Sequence, residues 1–320
     1  GKTLTNTNTG KATLTIAKGA TAAVKNGNVI GGTSFYTIQN NGTATLEDVT
    51  ATAGNNDSSM IDNYGTLTIT SGTYTGGLDT AKNEPNAKLT ITGGTFTLTK
   101  GNSKGFTGVV FNYGELTISG GDFIQSDKSA PYAQAQVIHT DKSGSTVPST
   151  VISGGTFKNL CSKTTAWTVR ETNAANGATK VSGGTFNKSI TEGYCADGFI
   201  PTKNADGTYG VKEGHYVAQV GSKKYETLAD AIRLATKGKT IQLLSDATEN
   251  ITIAANKQIT LDLNGHTLNG GTGTAKATIL NEGTVTITDT SAGKTGTIKR
   301  DDQGIEGETS YYVIKNIGTM

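Results

Sequence analysis

One phrase returns along this chain and constrains its fold more than any other feature. It runs apolar–Thr–apolar, then a polar or small residue and one or two glycines, then Thr or Asp and an aromatic ring. It reads Leu67-Thr68-Ile69-Thr70-Ser71-Gly72-Thr73-Tyr74, then Leu89-Thr90-Ile91-Thr92-Gly93-Gly94-Thr95-Phe96, then Leu116-Thr117-Ile118-Ser119-Gly120-Gly121-Asp122-Phe123. Shorter copies end at Phe157 and Phe186. A second phrase, apolar–x–Asn–x–Gly, precedes many copies, as in Ile61-Asp62-Asn63-Tyr64-Gly65 and Val110-Phe111-Asn112-Tyr113-Gly114. Asn and Gly in that spacing suit a tight turn needing positive φ, and the flanking residues alternate as strands do. The unit therefore reads strand, Asn-x-Gly corner, strand, Gly-Gly corner, short strand. That is one coil of a three-faced solenoid.

The aromatic markers give the period. Tyr74 and Phe96 are 22 residues apart, and the following gaps are 27, 34 and 29. The excess over the shortest coil has to leave as corner loops, among them 101–105, 127–132 and 141–148. Successive coils stack about 4.8 Å apart, the spacing of strands in a sheet. Alternation turns Leu67 and Ile69 inward and Thr68 outward. Stacking then files Leu67, Leu89 and Leu116 in one interior column, and Ile69, Ile91 and Ile118 in another. The five aromatic residues form a third, and Asn63 and Asn112 form an amide ladder at a corner.

Composition agrees with a narrow core. Only 34% of the 320 residues are hydrophobic, and 43 are glycine. Such a chain can fill an interior one or two side chains wide with small residues at each bend, but not a thick globular one. The formal net charge is +2, from 28 basic and 26 acidic residues scattered singly. No basic stripe with interleaved aromatics is present, which argues against nucleic acid as a partner. No apolar run is long enough to span a membrane, and no signal peptide is visible. Gly1 opens in mid-pattern, so the chain reads as an excised piece.

A change of pattern divides the chain. Residues 1–199 read as one β-solenoid module, 200–215 as a closing hairpin and linker, and 216–320 as the helix-capped start of a second module. Thr227-Leu228-Ala229-Asp230 has the form of a capping box for a helix over 227–236, with Leu228, Ala231, Ile232 and Ala235 on its apolar face and Gly238 ending it. A lone helix there serves as an end cap for the first coil. The string Tyr312-Val313-Ile314-Lys315-Asn316-Ile317-Gly318-Thr319 repeats the pattern of Tyr36-Thr37-Ile38-Gln39-Asn40-Asn41-Gly42-Thr43. A larger parent with tandem modules follows, so neighbouring modules of the same chain are expected partners.

These phrases resemble the repetitive β-helix modules of large surface proteins of Gram-positive anaerobic bacteria, within the pectate-lyase-like superfamily. The likeness covers nearly the whole chain. Thr260-Leu261-Asp262-Leu263-Asn264-Gly265-His266-Thr267-Leu268 is similar to the first coils of many right-handed parallel β-helices, where it is structural. The resemblance implies a right-handed, all-β parallel β-helix, export, attachment to the cell wall, and a role as spacer or adhesin.

Chemistry is harder to find. A polysaccharide lyase or glycoside hydrolase needs carboxylates gathered on one face, with a basic residue close by. Along the sequence the carboxylates are dispersed, and Asp262 and His266 fall within the structural string. Asp301, Asp302, Glu306 and Glu308 form the densest acidic group and read as a solvated loop or a weak Ca²⁺ site. His139, His215 and His266 lack zinc spacing. No nucleophile elbow or phosphate loop is present. Outward threonines such as Thr66, Thr68 and Thr70 present flat hydroxyl arrays, but Lys88 and Glu115 interrupt them, and Thr is an ordinary solvent-facing strand residue. Cys161 and Cys195 either close one disulfide in an oxidising compartment or sit apart as small buried hydrophobes.

The expected role is therefore a non-catalytic, secreted or wall-attached structural and adhesive module. Tyr132 and Trp167, aromatic residues on inserted loops, are the candidates to stack on a glycan or pack on a host surface protein. No cofactor, metal or catalytic residue is assigned. The alternative is a carbohydrate-active enzyme with a groove along one face. A groove lined by several carboxylates and a Lys or Arg would favour the enzyme.

Overall fold

The computed structural model describes residues 1–7, 10–100, 107–129, 135–163, 166–174, 177–271, 276–300 and 312–320. The fold is an all-β, three-faced parallel β-solenoid of about 11 turns with one short α-helix. It divides into two compact units, Gly1–Glu213 and Gly214–Met320.

In the first unit each coil passes through three sheets in turn. The asparagine sheet stacks Leu14–Ile16, Ile38–Asn40, Ile61–Asn63, Ala81–Asn83, Thr107–Asn112, Ala135–Asp141 and Val169–Thr172. The leucine sheet stacks Thr21–Lys25, Thr43–Glu47, Thr66–Ile69, Lys88–Ile91, Glu115–Ile118, Ser149–Ile152 and Thr179–Val181. The aromatic sheet begins at Thr3–Thr5 and includes Gly72–Thr75, Thr95–Leu98, Asp122–Gln125, Thr156–Asn159 and Thr185–Phe186. All these pairings are parallel and keep the phrases in step, with Leu67 beside Leu89 beside Leu116, and Ile69 beside Ile91 beside Ile118.

Register puts like beside like, and this builds the core. Tyr74, Phe96, Phe123, Phe157 and Phe186 are fully buried and stack nearly flat, with ring centroids 4.7 to 5.0 Å apart. Burying each such ring contributes about 1.5–3 kcal/mol before entropy is charged against it. At the first corner Asn40, Asn63, Asn83 and Asn112 pass hydrogen bonds from amide to amide at 2.7, 2.8 and 2.8 Å. Small residues at the corners are obligatory. A Cβ on Gly65 would lie 2.0 Å from the Gly42 carbonyl oxygen, and Gly72 (φ +116°) would set one 2.2 Å from that of Val49. The stack ends in an antiparallel hairpin, Phe199–Lys203 with Tyr209–Glu213, whose second strand pairs antiparallel with Thr185–Phe186.

The second unit opens with a hairpin, Ala218–Val220 with Lys223–Tyr225, and then α1 (Leu228–Leu234). Parallel coils follow, in which Lys239–Leu243, Gln258–Asp262 and Thr284–Thr288 are neighbours. The sequence predicts a helix that covers the edge of the first coil, and the structure divides that task. Ala218–Val220 pairs with Lys239–Leu243 and occupies the sheet edge, while α1 seals the core end with Leu228, Ala231, Ile232 and Ala235. Thr227 caps α1 by accepting from the Asp230 amide at 3.1 Å, but the Asp230 carboxylate turns to Arg233 and leaves the reciprocal half of the box unmade. The amide ladder recurs between Asn281 and Asn316, at 2.6 Å.

Candidate functional site

In the first unit the leucine-to-aromatic corners are tight turns, most of them with glycine and one with Asp48 at positive φ, whereas long connections leave at the corner from the aromatic to the asparagine sheet. The described residues 53–60, 99–100, 126–129, 160–163 and 166–168 all lie there. They flank the outer face of the asparagine sheet, which is where a rigid scaffold would carry a site.

The outward column of that sheet runs Gln39, Asp62, Lys82, Phe111, His139, Arg170 in register. Two residues before each interior position (Ile38, Ile61, Ala81, Val110, Ile138, Val169) stands a second column: Tyr36, Ser59, Asp79, Gly108, Gln136, Trp167. Several of its rungs are hydrogen-bonded to the next. Ser59 Oγ donates to Asp79 Oδ2 at 3.2 Å, Gly108 N donates to Asp79 Oδ1 at 2.9 Å, and Trp167 N donates to Gln136 Oε1 at 2.7 Å. Five coil steps carry this strip about 24 Å along the solenoid.

At one end lies a pocket of about 260 Å³. Tyr36, Phe111 and Tyr113 supply its aromatic surfaces, and Asp57, Asp79, Lys82, Ser58 and Ser59 its polar ones. Lys82 Nζ lies 2.5 Å from Glu84 Oε1 and 5.6 Å from the centre of the Tyr113 ring. The carboxylates that look dispersed in sequence are thus gathered here with a lysine, because coil stacking places the two Asp-bearing turns side by side.

Their surroundings tune them. Burial, then the charge of Glu84, pushes the Asp62 carboxyl up to about 7. Asp79 also rises to about 7 through burial, although Gly108 N and Ser59 Oγ favour its charged form. Asp62 is completely buried, and neither of its oxygens has a hydrogen-bond partner; Gln39 and Glu84 lie beside it without normal hydrogen-bond geometry. Burial opposes the charge on Lys82, but its bond to Glu84 and the neighbouring carboxylates outweigh that and raise its pKa above the ordinary value. Burial lowers His139 to about 3, and Arg170 adds to the effect, so its ring is neutral; it packs 4.5 Å from Phe111 and bonds Thr172 Oγ1 at 2.7 Å.

Trp167 stands at the far end of the strip, 41% exposed. Its carbonyl accepts from Asn159 Nδ2 at 2.8 Å, and Lys188 Nζ pins the preceding turn through the carbonyls of Cys161 and Ala166. The ring is presented by a braced loop. Tyr132, and likewise Asp301, Asp302, Glu306 and Glu308, lie outside the described residues. Asp262 is held by Thr290, Gln242 and the Asn264 amide, while His266 faces Asp246 at 3.6 Å, so these two do not form a pair. Cys161 and Cys195 are both buried and unbridged. Among the described residues no group of three or more His, Cys, Asp or Glu is placed to hold a metal, and no helix is long and apolar enough to cross a membrane.

Fold and face together define a parallel β-solenoid with an aromatic and carboxyl-lined pocket on one sheet and an exposed tryptophan farther along it. No protein-family model, curated protein or solved structure matches the chain.

Proposed function

We propose that this chain is a non-catalytic, extracellular structural and adhesive module that binds glycan along the outer face of the asparagine sheet. The observation that carries this reading is the file from Tyr36 to Trp167, hydrogen-bonded from Ser59 through Asp79 to Gly108 and again from Gln136 to Trp167, with a pocket at one end and a braced tryptophan at the other. Sugar rings stack their apolar faces on aromatic side chains and offer hydroxyls to carboxyl and amide groups, and this strip supplies both kinds of partner. A rigid site of this kind spends little ordering entropy on binding. The repeated phrases and the string Thr260–Leu268 support placement in the pectate-lyase-like superfamily, with export and attachment to the cell wall of a Gram-positive anaerobe. The test is a glycan array probed with the whole chain and with Tyr113→Ala and Trp167→Ala. Signal that falls at least about tenfold in both variants, a loss of about 1.4 kcal/mol or more, supports the reading. An array blank for the parent chain refutes it.

One observation favours a second reading, a glycoside hydrolase. Asp79 lines the pocket with its carboxyl held near 7, as a general acid requires, and Asp62 lies one coil away. Release of reducing ends from any polysaccharide the array identifies, abolished in Asp79→Asn, would replace binding with catalysis.

A further inference from the structure

We propose that a pocket in the second unit takes an N-acylated sugar that carries a carboxylate. It is a second site, and it takes from the glycan-binding reading above only the kind of ligand. The pocket, of about 380 Å³, opens on the outer face of the sheet formed by Ile251–Ile253, Ile279–Asn281 and Ile314–Asn316. The Asn281–Asn316 amide bond marks that sheet as the counterpart of the asparagine sheet in the first unit. Ile251, Ile279 and Ile314 point inward, so the outward file runs Thr252, Leu280, Lys315 in register. The volume lies within the range of small-molecule sites.

Three features of the pocket wall go unanswered within the chain. Lys276 and Lys315 both line it, and neither ammonium enters a hydrogen bond or ion pair with another described residue. Two cations on one cavity repel each other unless an anion lies between them. Glu282, also exposed, supplies a carboxylate that has no side-chain partner among the described residues. Leu280 and Ile317, the latter 63% exposed, set apolar surface beside these charges. The rim is braced. Asn250 Nδ2 donates to the Ala277 carbonyl at 3.0 Å, its Oδ1 accepts from the Gly271 amide at 3.1 Å, and Arg300 Nη1 donates to the Lys276 carbonyl. The backbone of Lys276 is therefore held in place before a ligand arrives, which lowers the ordering cost of binding.

Together these groups select a class of ligand. An anion answers the two ammoniums, an N–H or O–H donor answers Glu282, and a small apolar group answers Leu280 and Ile317. A neutral sugar leaves the ammoniums unmatched. A uronate supplies the carboxylate but sets only hydroxyls against the apolar wall, and a simple alkyl acid brings no donor to Glu282. An N-acylated sugar acid meets all three demands, through its carboxylate, its amide N–H and the methyl of its acyl group. Among the described residues no Tyr, Phe or Trp lines this pocket, so the ring stacking available at Tyr36 and Tyr113 plays no part. Sugars of this class occur both in bacterial wall glycan and in host surface glycan, and the choice of probes separates the two.

The experiment is titration calorimetry with the whole chain. The probes are N-acetylneuraminyl-lactose, for host-type glycan, and the disaccharide of N-acetylglucosamine with N-acetylmuramic acid, for wall glycan. The comparators are lactose, di-N-acetylchitobiose and digalacturonate. One of the two probes is expected to bind at least about tenfold more tightly than every comparator, and the tighter probe names the source. Its affinity should fall about tenfold or more when Lys276→Gln and Lys315→Gln are combined. It should fall about fourfold or more in Ile317→Ser, the equivalent of one buried methylene. All three positions are exposed, so the fold is kept. Lys239→Gln, at an exposed lysine outside the pocket, and Tyr113→Ala in the first unit should change nothing. Digalacturonate or di-N-acetylchitobiose binding as tightly as the better probe overturns the inference. An equal loss in Lys239→Gln also overturns it, since the attraction would then be general. Loss in Tyr113→Ala with the lysine variants unaffected overturns it too and leaves the first-unit site standing. No binding by any of these sugars overturns it as well, whereas the first-unit reading stands or falls on its own array.

Discussion

Asn63 donates its side-chain amide to the Asn83 carboxamide oxygen in the next coil, at 2.8 Å, and Asn83 in turn donates to Asn112 at the same distance. Each amide also serves the backbone, and Asn83 Nδ2 reaches the carbonyls of Ala87 and Glu115. All three side chains are fully buried. Replacing the middle one, Asn83→Ala, breaks the ladder on both sides and removes the donor to the Ala87 and Glu115 carbonyls, while Asn63 keeps its bonds to the Gly65 and Lys88 carbonyls and Asn112 Oδ1 keeps the Gly114 amide. The expected loss is about 1–3 kcal/mol, the penalty for stranding buried polar groups. Urea denaturation of the variant against the parent measures it, and an unchanged midpoint would show that the ladder is idle.

The aromatic file makes a complementary prediction. Phe123 lies between Phe96 and Phe157 at 5.0 Å from each, fully buried. Phe123→Ala opens a void that its flat neighbours cannot close without tilting, so it should cost about 3–5 kcal/mol. Phe123→Leu should cost less, because an apolar residue of similar reach keeps the column filled. Comparable losses for the two would mean the interior relaxes more freely than its packing implies.

The two phrases make the fold legible in sequence because both encode corners and inward residues, and stacking brings equivalent positions together. Leu67, Leu89 and Leu116 can be paired from the sequence alone, as can the five aromatic residues. The ladder is only half legible. Asn63 and Asn112 announce themselves by the glycine two places on, but Asn83 is followed by Glu84-Pro85-Asn86-Ala87 and hides in an unusual corner. The site escapes sequence reasoning for a related cause. Asp62, Asp79, Lys82 and Glu84 look scattered, and only register makes them neighbours. A signal is present: the residue before each ladder asparagine changes from Gln39 to Asp62, Lys82 and Phe111, where a plain solvent-facing strand would keep Thr. Trp167 stands out because a lone tryptophan on an insertion is conspicuous. Its place on the same column as Asp79 depends on loop length, which the phrases do not encode.

The cysteines give a direct chemical test. Cys161 lies beside Ala166 in a small satellite cluster, Cys195 packs into the main core, and they are not bonded. Burial, and to a lesser degree the charge of Glu192, lifts the Cys195 thiol to about 11, which suppresses the reactive thiolate. Neither thiol should label with an alkylating reagent in the native state, and both should label in denaturant. Reductant should leave the unfolding midpoint where it was. A mass lower by two hydrogen atoms, restored by reductant, would reveal a bridge instead.

Capping of α1 is shared between two groups of unequal weight. Glu249 accepts from the Leu228 and Ala229 amides at 2.8 and 3.0 Å, while Thr227 takes the single amide of Asp230. A carboxylate at a helix N-terminus gains from the positive end of the helix dipole as well as from its hydrogen bonds. Thr227→Ala should cost the second unit about 1 kcal/mol. Glu249→Ala should cost about 1.5–3 kcal/mol, the range for hydrogen bonds to a charged group. The reverse order, read by thermal unfolding of the two variants, would make Thr227 the principal cap.

The last prediction concerns pH. Asp79 is held up to about 7 by burial, and Asp62 likewise, with Glu84 adding to the shift. In the unfolded chain both should ionise near about 3.9. Between those values the native state keeps protons that the unfolded state has released, so unfolding releases protons and stability falls as pH rises. The contribution is fully present below about pH 4, declines through about pH 7 and is flat above it. Carboxyls with lowered values, such as Asp289 at about 2, act in the opposite sense and at lower pH. They are common to the parent chain and its variants and cancel in the difference. The double variant Asp62→Asn with Asp79→Asn should therefore be more stable than the parent above pH 7 and lose that advantage on acidification, as followed by urea midpoints across the range. A difference that stays constant with pH would mean that both carboxyls ionise in the folded chain as they do in water, and that the pocket is wetter than its burial implies.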